Sequence, residues 1–226
     1  MCEMLAFSSP TPLAISRILD VSLLLDEYGI AGFGWGIVWS DGETLHRYRS
    51  VDSIRRDLTA KTALSQITMQ KGFVHLRRPS LMTTIGHVNV QPYLSPGGDW
   101  AFAHNGYLER HAEFRERFAS QLVGTSDSEV GFWYWMERLQ TNAPLMQSLF
   151  ETHQALRGNA NFMALGRQGD LGVYAGNEEN AIYTFRIGDL QLASTGLHSR
   201  DNFLFETVFP AASHIDGLGI GQSIVL

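Results

Sequence analysis

Segments with the pattern of β-strands lie at both ends of this chain and enclose a central block with helical periodicity. The central block comprises residues 110–118, 128–139 and 145–156, and four short strand-like segments follow it within residues 161–195. Strands grouped in this way, rather than alternating with helices, are typical of α+β folds with mainly antiparallel sheets. No repeat or long linker interrupts the order, so the sequence predicts a single domain over residues 1–226.

Local signals predict the bounds of several elements. An apolar strand is expected over residues 2–7, and Thr11 is expected to cap the helix that follows, which should end at Gly29. Another helix is expected over residues 54–69. The aromatic segment 202–210 is predicted to be a strand or loop packed on the core, with an oligomer or partner contact as the alternative.

Composition limits the classes of partner. The formal net charge of −6 disfavours a nucleic acid or an anionic membrane as the partner. No apolar stretch approaches the roughly 20 residues that span a bilayer, and the N-terminus, with Glu3 and Pro10, does not resemble a signal peptide. We therefore expect a cytoplasmic protein. The chain has one cysteine, so no internal disulfide can form.

The single cysteine lies at position 2. A lone cysteine is ordinarily a small, buried apolar residue. Here, removal of Met1, which aminopeptidases favour before a small side chain, would leave a thiol and a free α-amine on one residue. Because an α-amine has a pKa of about 7.7–8.0, it can act as a base near neutral pH. Cys2 is therefore a candidate N-terminal nucleophile that carries its own base.

Asn105 and Gly106 follow a predicted strand over residues 100–104. Asn-Gly is the commonest sequence of a tight hairpin turn, so a simple turn is the first interpretation. An amide NH₂ group beside an unhindered glycine N–H is also a good pair of donors to an oxyanion. Both interpretations stay open from these two residues alone.

Two charged residues are candidates to bind the two ends of an amino acid. Arg77 follows an apolar strand, and its planar guanidinium can bind a carboxylate through two hydrogen bonds. A solvated loop residue is the alternative for Arg77, and Arg78 is its competitor for the carboxylate. Asp127 precedes a predicted helix, where it can act as the N-cap and can also pair with an ammonium group.

These candidates occur within an ordered series of short motifs. The series is Met1-Cys2-Glu3, Gly34-Trp35-Gly36-Ile37, His75-Leu76-Arg77, Asn89-Val90-Gln91-Pro92-Tyr93, His104-Asn105-Gly106 and Ser126-Asp127-Ser128-Glu129. In this order it resembles the class II glutamine amidotransferases, which are N-terminal nucleophile hydrolases. The chain is most similar to the compact stand-alone branch, which includes the γ-glutamyl hydrolase of ergothioneine biosynthesis.

The resemblance implies a four-layer αββα sandwich of two mainly antiparallel sheets. It also implies glutaminase-type hydrolysis of a γ-glutamyl amide through a thioester on Cys2, with Asn105 and Gly106 as the oxyanion hole. A second set of residues would contact the substrate. They are Arg77 for the α-carboxylate, Asp127 for the α-ammonium, and Trp35 and Gly36 for the wall near the nucleophile.

The partner expected from this resemblance is a small molecule, glutamine or another γ-glutamyl amide, without a cofactor or metal. A chain of 226 residues is too short for a fused acceptor domain, so a separate ammonia-accepting subunit or a homo-oligomer is compatible with it. Arg77-Arg78-Pro79-Ser80 lacks the Thr-His-Gly continuation of many fused synthases. Gln91 stands where the compact branch often has histidine. Both departures leave the leaving group and the acceptor open.

Three other interpretations are weaker. A catalytically silent amino-acid-binding or regulatory module on the same fold would need no nucleophile. A hydrolase for acylated lactones or bile-salt amides would need no paired sites for a carboxylate and an ammonium. A metal site is disfavoured because the candidate histidines lack a recognisable ligand motif. These histidines are His75, His87, His104 and His111.

Overall fold

Two antiparallel sheets form the centre of the computed structural model, which describes residues 2–199 and 202–226. In spatial order, the larger sheet contains β11 (Ser213–Leu218), β9 (Ile182–Ile187), β10 (Leu190–Thr195), β1 (Glu3–Ala14), β4 (Thr68–Leu76), β2 (Trp35–Ser40) and β3 (Leu45–Ser50). The smaller sheet contains β12 (Ser223–Val225), β8 (Leu171–Tyr174), β7 (Gly158–Gly166), β6 (Trp100–Leu108) and β5 (Tyr93–Leu94). The helices are α1 (Ile15–Tyr28), α2 (Leu58–Ala63), α3 (His111–Arg115), α4 (Asp127–Gln140), α5 (Leu145–Leu156) and α6 (Asn202–Val208).

Three buried apolar clusters separate four layers. One lies between the larger sheet and helices α1 and α6, another between the two sheets, and the third between the smaller sheet and helices α4 and α5. Each sheet therefore packs one face on the other sheet and one face on helices. The α+β prediction and the four-layer αββα sandwich are confirmed.

Alternation along β1 decides which side chains face the space between the sheets. Met4 and Ala6 belong to the cluster between the sheets, whereas Leu5 and Phe7 belong to the cluster beneath the helices. Because successive side chains of a strand point to opposite faces, Cys2 lies on the same side as Met4. The space between the sheets is therefore where the thiol is placed.

β1 is longer than the sequence predicts. The strand expected over residues 2–7 extends to Ala14, with a shift of its register against β4 between Ser8 and Leu13. Pro10, which has no N–H to donate to a ladder, falls within this irregular stretch. The proline marks a break in strand pairing and not the end of the strand.

Two helix predictions are wrong in extent. The N-cap of α1 is Ala14 and not Thr11, because the intervening residues belong to β1. The helix predicted over residues 54–69 is reduced to α2, whose N-cap Asp57 accepts a hydrogen bond from the backbone N–H of Ala60. The last two residues of the predicted helix, Thr68 and Met69, are instead the start of β4, which pairs with β1.

The aromatic segment near the C-terminus forms helix α6, so the prediction of a strand or loop is wrong. Its packing on the core is confirmed, since Phe205, Val208 and Phe209 are buried. The rings of Phe205 and Phe209 both contact Phe185 of β9. Within residues 2–199 and 202–226, none of the helices is long and apolar enough to cross a membrane.

Candidate active site

A cavity of about 100 Å³ opens where the end of β4 and the start of β1 approach β6 and the N-terminus of α4. Its lining includes Cys2, Arg77, Gly106 and Asp127, which come from four separate segments of the chain. Four of the seven residues predicted for the site therefore meet at one cavity. Removal of Met1 lies outside the described residues.

The Cys2 side chain is 8% exposed at the edge of this cavity. Its Sγ accepts a hydrogen bond from the backbone N–H of Arg78 at 3.3 Å and donates to the Arg78 carbonyl at 3.5 Å. Burial raises the pKa of the thiol, and the Arg78 hydrogen bond and the charge of Arg77 oppose that rise. A thiol held in this way requires a base to become a strong nucleophile.

Arg77 is 4% exposed, and the two terminal nitrogens of its guanidinium differ in their contacts. Nη2 donates to the carbonyl and the hydroxyl oxygen of Thr84, at 2.8 and 2.9 Å. Nη1 is buried and has no hydrogen-bond partner in the described part of the chain. A guanidinium stays charged at neutral pH, so Arg77 places a fixed positive charge in the wall of the cavity.

Asp127 is the first residue of α4, where a negative charge is favourable. Its expected role as N-cap is wrong, because Ser126 is the cap and accepts from the backbone N–H of Glu129. Asp127 Oδ2 accepts from the backbone N–H of Leu108 at 2.9 Å. This bond fixes one oxygen of a carboxylate that lines the same cavity as Cys2 and Arg77.

Gly106 lines the cavity in a conformation that favours glycine, with φ of +132°. A Cβ atom at this position would overlap the backbone carbonyl oxygen of Asn159 on the neighbouring strand β7. Asn105 does not line the cavity, but its Nδ2 donates to the backbone carbonyl of Cys2. The residue pair is thus part of continuous strand β6 and not a simple hairpin turn.

Trp35 and Gly36 do not line the cavity. Trp35 is fully buried beneath the helices, and its Nε1 donates to Asp57. A Cβ atom at Gly36 would overlap the carbonyl oxygen of Gln91, whose residue does line the cavity. Gly36 therefore allows a close approach behind the wall, and Trp35 supports the fold.

Asn89 has a structural role that sequence reasoning did not assign. Its Nδ2 donates to the Thr84 carbonyl at 2.9 Å, and its Oδ1 accepts from the backbone N–H groups of Thr125 and Ser126. Asn89 thereby joins the segment that binds Arg77 to the segment that leads to Asp127. The Asn89-to-Tyr93 motif was the available signal, although the motif does not reveal this contact.

Three further asparagines near Cys2 were also missed. Asn161, Asn177 and Asn180 are almost fully buried, and all three belong to one hydrogen-bonded group with Asn105. Asn180 donates to the Cys2 carbonyl at 3.2 Å, alongside Asn105. Single asparagines spread along strands and loops form no recognisable spacing, so the sequence offered no signal for them.

The buried histidines near the site are held neutral by their surroundings. Burial, reinforced by the charge of Arg77, lowers the pKa of His75 to about 3, and burial lowers that of His104 to about 4. His104 Nδ1 contacts the hydroxyl of Ser128 at 2.9 Å. Across residues 2–199 and 202–226, no group of three or more His, Cys, Asp or Glu is arranged to hold a metal ion.

The sequence is similar to a known protein family and to a bacterial relative. Residues 1–193 match the model of the class II glutamine amidotransferases. A protein of Haemophilus influenzae, provisionally named a glutamine amidotransferase, is 25% identical over 166 residues. That match covers 70% of this chain and 54% of the relative, so the chain spans about half of the relative's length.

Solved structures share the fold over nearly the whole chain. Glutamine phosphoribosylpyrophosphate amidotransferase from B. subtilis superposes with a TM-score of 0.75 at 19% identity, over 99% of this chain and 47% of that one. A class II domain protein from Silicibacter pomeroyi gives a TM-score of 0.64 at 16% identity, over 99% of this chain and 94% of the other. A Pseudomonas aeruginosa protein described as a predicted glutamine amidotransferase gives 0.55 at 16% identity, over 99% and 96% of the two chains.

Proposed function

The chain belongs to the class II glutamine amidotransferases, and from that premise we propose that it hydrolyses a γ-glutamyl amide through a thioester on Cys2. The observation that carries the proposal is the meeting of Cys2, Arg77 and Asp127 at one small cavity, together with an Arg77 Nη1 that has no hydrogen-bond partner among the described residues. An amino acid carries an α-carboxylate and an α-ammonium, which complement a guanidinium and a carboxylate. Its side-chain amide would then lie near the thiol.

In the proposed reaction, Cys2 Sγ attacks the γ-carbonyl carbon and forms a C–S bond, while the thiol proton passes to the Cys2 α-amine. Because burial raises the pKa of the thiol, the reaction needs this adjacent base. The α-amine exists only after Met1 is removed. The same amine then delivers the proton to the leaving nitrogen as the C–N bond breaks, so that ammonia or an amine departs.

The remaining thioester is resolved by water. Water attacks the acyl carbon, its proton passes to the α-amine, and the C–S bond breaks to release glutamate and restore the thiol. Asn105 and Gly106 are the proposed donors to the oxyanion in both steps. Gly106 already lies at the cavity, and the Asn105 amide lies one residue away, against Cys2.

The residues that line the cavity favour a glutamyl group as one half of the substrate, whereas they place few limits on the leaving group. Leu81 and Tyr107 line the cavity, and Leu81 is largely exposed while Tyr107 is half-exposed. They allow either ammonia or a larger amine to depart. A separate ammonia-accepting subunit belongs to the same proposal, as do a single catalytic domain over 1–226 and a cytoplasmic location.

The test is glutamate release from glutamine and from a panel of γ-glutamyl amides. Wild-type protein, whose loss of Met1 is checked by intact mass, is compared with Cys2→Ala. We expect release by the wild type alone, with alkylation of Cys2 by iodoacetamide abolishing it. Release that survives in Cys2→Ala, or full activity in protein that retains Met1, would contradict the proposal.

A further inference from the structure

Asn105, Asn161, Asn177 and Asn180 form a buried amide network beside Cys2. Asn105 Oδ1 accepts from the Nδ2 of Asn161 and from the Nδ2 of Asn177, each at 3.1 Å. Its Nδ2 points the other way, toward the Cys2 carbonyl. From this arrangement we infer that Asn161 and Asn177 are positioning residues that hold the NH₂ group of Asn105 toward the nucleophile.

The orientation of Asn161 is fixed by groups that cannot exchange their roles. Its Oδ1 accepts from the backbone N–H groups of Gly176 and Asn177, at 3.0 and 3.1 Å. A backbone N–H can only donate, so the atom facing it must be the amide oxygen. The nitrogen of Asn161 is therefore directed to the other side, where it donates to the Asn180 carbonyl at 2.7 Å and to Asn105.

Asn177 is fixed in the same way. Its Oδ1 accepts from the backbone N–H of Glu179 at 2.9 Å, which leaves its Nδ2 to face Asn105. Asn180 also has its oxygen held by a backbone N–H, that of His198 at 3.0 Å. Of the four amides, Asn105 alone has its oxygen fixed by other side chains, according to the bonds of the described residues.

A reversed Asn105 would be strongly unfavourable. Its NH₂ group would then face two other NH₂ groups, and its oxygen would face the carbonyl oxygen of Cys2. Asn105 is fully buried, so none of these groups could turn to water instead. Leaving buried donors and acceptors unsatisfied is more unfavourable than the loss of the original bonds.

This inference rests on the proposed function, in which Asn105 and Gly106 stabilise the oxyanion. An amide can do so only if its nitrogen, and not its oxygen, faces the negatively charged oxygen that develops on the γ-carbonyl group. Asn161 and Asn177 donate to Asn105, which in turn contacts Cys2, so they act through Asn105 and not on the substrate. Their contribution is to the transition state and not to the binding of the glutamyl group.

The test is the isosteric variant Asn161→Asp, with Asn177→Asp as a second. When ionised, the new carboxyl replaces the NH₂ donor facing Asn105 by an oxygen that cannot donate, while its other oxygen can still accept from the backbone. The rates are therefore measured at several pH values, up to the highest at which the wild type is active. We expect kcat for glutamine to fall by about 100- to 1000-fold in Asn161→Asp, as for loss of an oxyanion donor. KM and the rate of Cys2 alkylation by iodoacetamide should stay within about twofold, because alkylation forms no oxyanion.

A double-variant cycle separates positioning from a general structural role. In an Asn105→Ala background, Asn161→Asp should lower kcat by no more than about twofold further, because the amide that it orients is already absent. Asn142→Asp, at an exposed turn after α4, is the control for the added charge and should match the wild type. If Asn161→Asp fails to fold, the same cycle with Asn177→Asp decides the question.

Several results would overturn the inference. They are an unchanged kcat in the folded variants, a parallel loss of kcat and alkylation, and an undiminished effect in the Asn105→Ala background. A wild-type protein that is alkylated at Cys2 but releases no glutamate from any amide would instead contradict the proposed function and remove the basis of this inference.

Discussion

Replacing Arg77 by lysine tests how the guanidinium divides its donors. In the folded protein, Nη2 is bound to Thr84 while Nη1 is buried and free of protein partners among the described residues. A lysine has one nitrogen, which cannot occupy both positions. Arg77→Lys keeps the positive charge but must give up either the contact with Thr84 or the contact with the substrate.

The expected magnitude follows from the loss of one charge-assisted hydrogen bond. Such a bond contributes about 1.5–3 kcal/mol in a buried site. At about 1.4 kcal/mol for each factor of ten, KM for glutamine should rise by about 10- to 150-fold. The α-carboxylate is bound alike in the ground and transition states, so kcat should change much less than KM.

The assay is steady-state glutamate release, with Arg78→Lys as the matched control. Arg78 also lines the cavity, but it is exposed and one of its guanidinium N–H groups donates to the Ile30 carbonyl at 3.1 Å. Arg78→Lys should therefore leave KM almost unchanged. The reasoning is refuted if Arg77→Lys raises KM by less than about threefold, or roughly 0.7 kcal/mol, or if Arg78→Lys has the larger effect.

Three further predictions concern the wall of the site and its support. Asp127→Asn keeps an oxygen for the Leu108 N–H but removes the charge, so KM for glutamine should rise by about 10-fold or more. The melting temperature should fall by no more than about 4 °C, from the loss of a favourable charge at the start of α4. Gly106→Ala should lower the melting temperature more than Gly42→Ala, since both have positive φ but only Gly106 lacks room for a Cβ; equal losses would contradict this. Burial raises the pKa of Glu3 to about 7. From about pH 4.5 to 7, the folded protein therefore keeps a proton that the unfolded chain has lost. The free energy of unfolding should fall as pH rises through this range. Urea unfolding from about pH 5 to 8 should show a smaller fall in Glu3→Gln, and an identical slope in both proteins would count against that assignment.

The part of the site that the sequence predicts is the part with distinctive chemistry. Cys2, Arg77 and Asp127 are recognisable because a terminal thiol and two opposite charges in short motifs are uncommon, and they do meet at one cavity. Asn161 and Asn177 were not found, because an amide acquires its role only from neighbours distant in the chain. Asn161 contacts a residue 56 positions away and Asn177 one 72 positions away.

In the fold, too, the sequence predicts elements with strong local signals and misses those that depend on contacts distant in the chain. Helix α5 has the bounds that periodicity predicts, since its apolar face and its preceding proline both mark it. The helix predicted over residues 54–69 is wrong in extent, since α2 covers only Leu58–Ala63. Pairing with β1, a tertiary contact, makes its last two predicted residues part of strand β4. Strands β11 and β12 were not predicted, because both are short and mostly exposed and lack an apolar alternation.

The central position of β1 sets an order of events during synthesis of the protein. β1 pairs with β10, and Cys2 receives a hydrogen bond from Asn180, 178 positions later. At about 5–20 residues per second, Cys2 leaves the ribosome roughly 9 to 36 s before that partner does. Removal of Met1, on which the proposed nucleophile depends, has this interval before folding buries Cys2. Overproduction that outpaces the aminopeptidase would therefore give folded but inactive molecules, in a proportion set by the rate of expression.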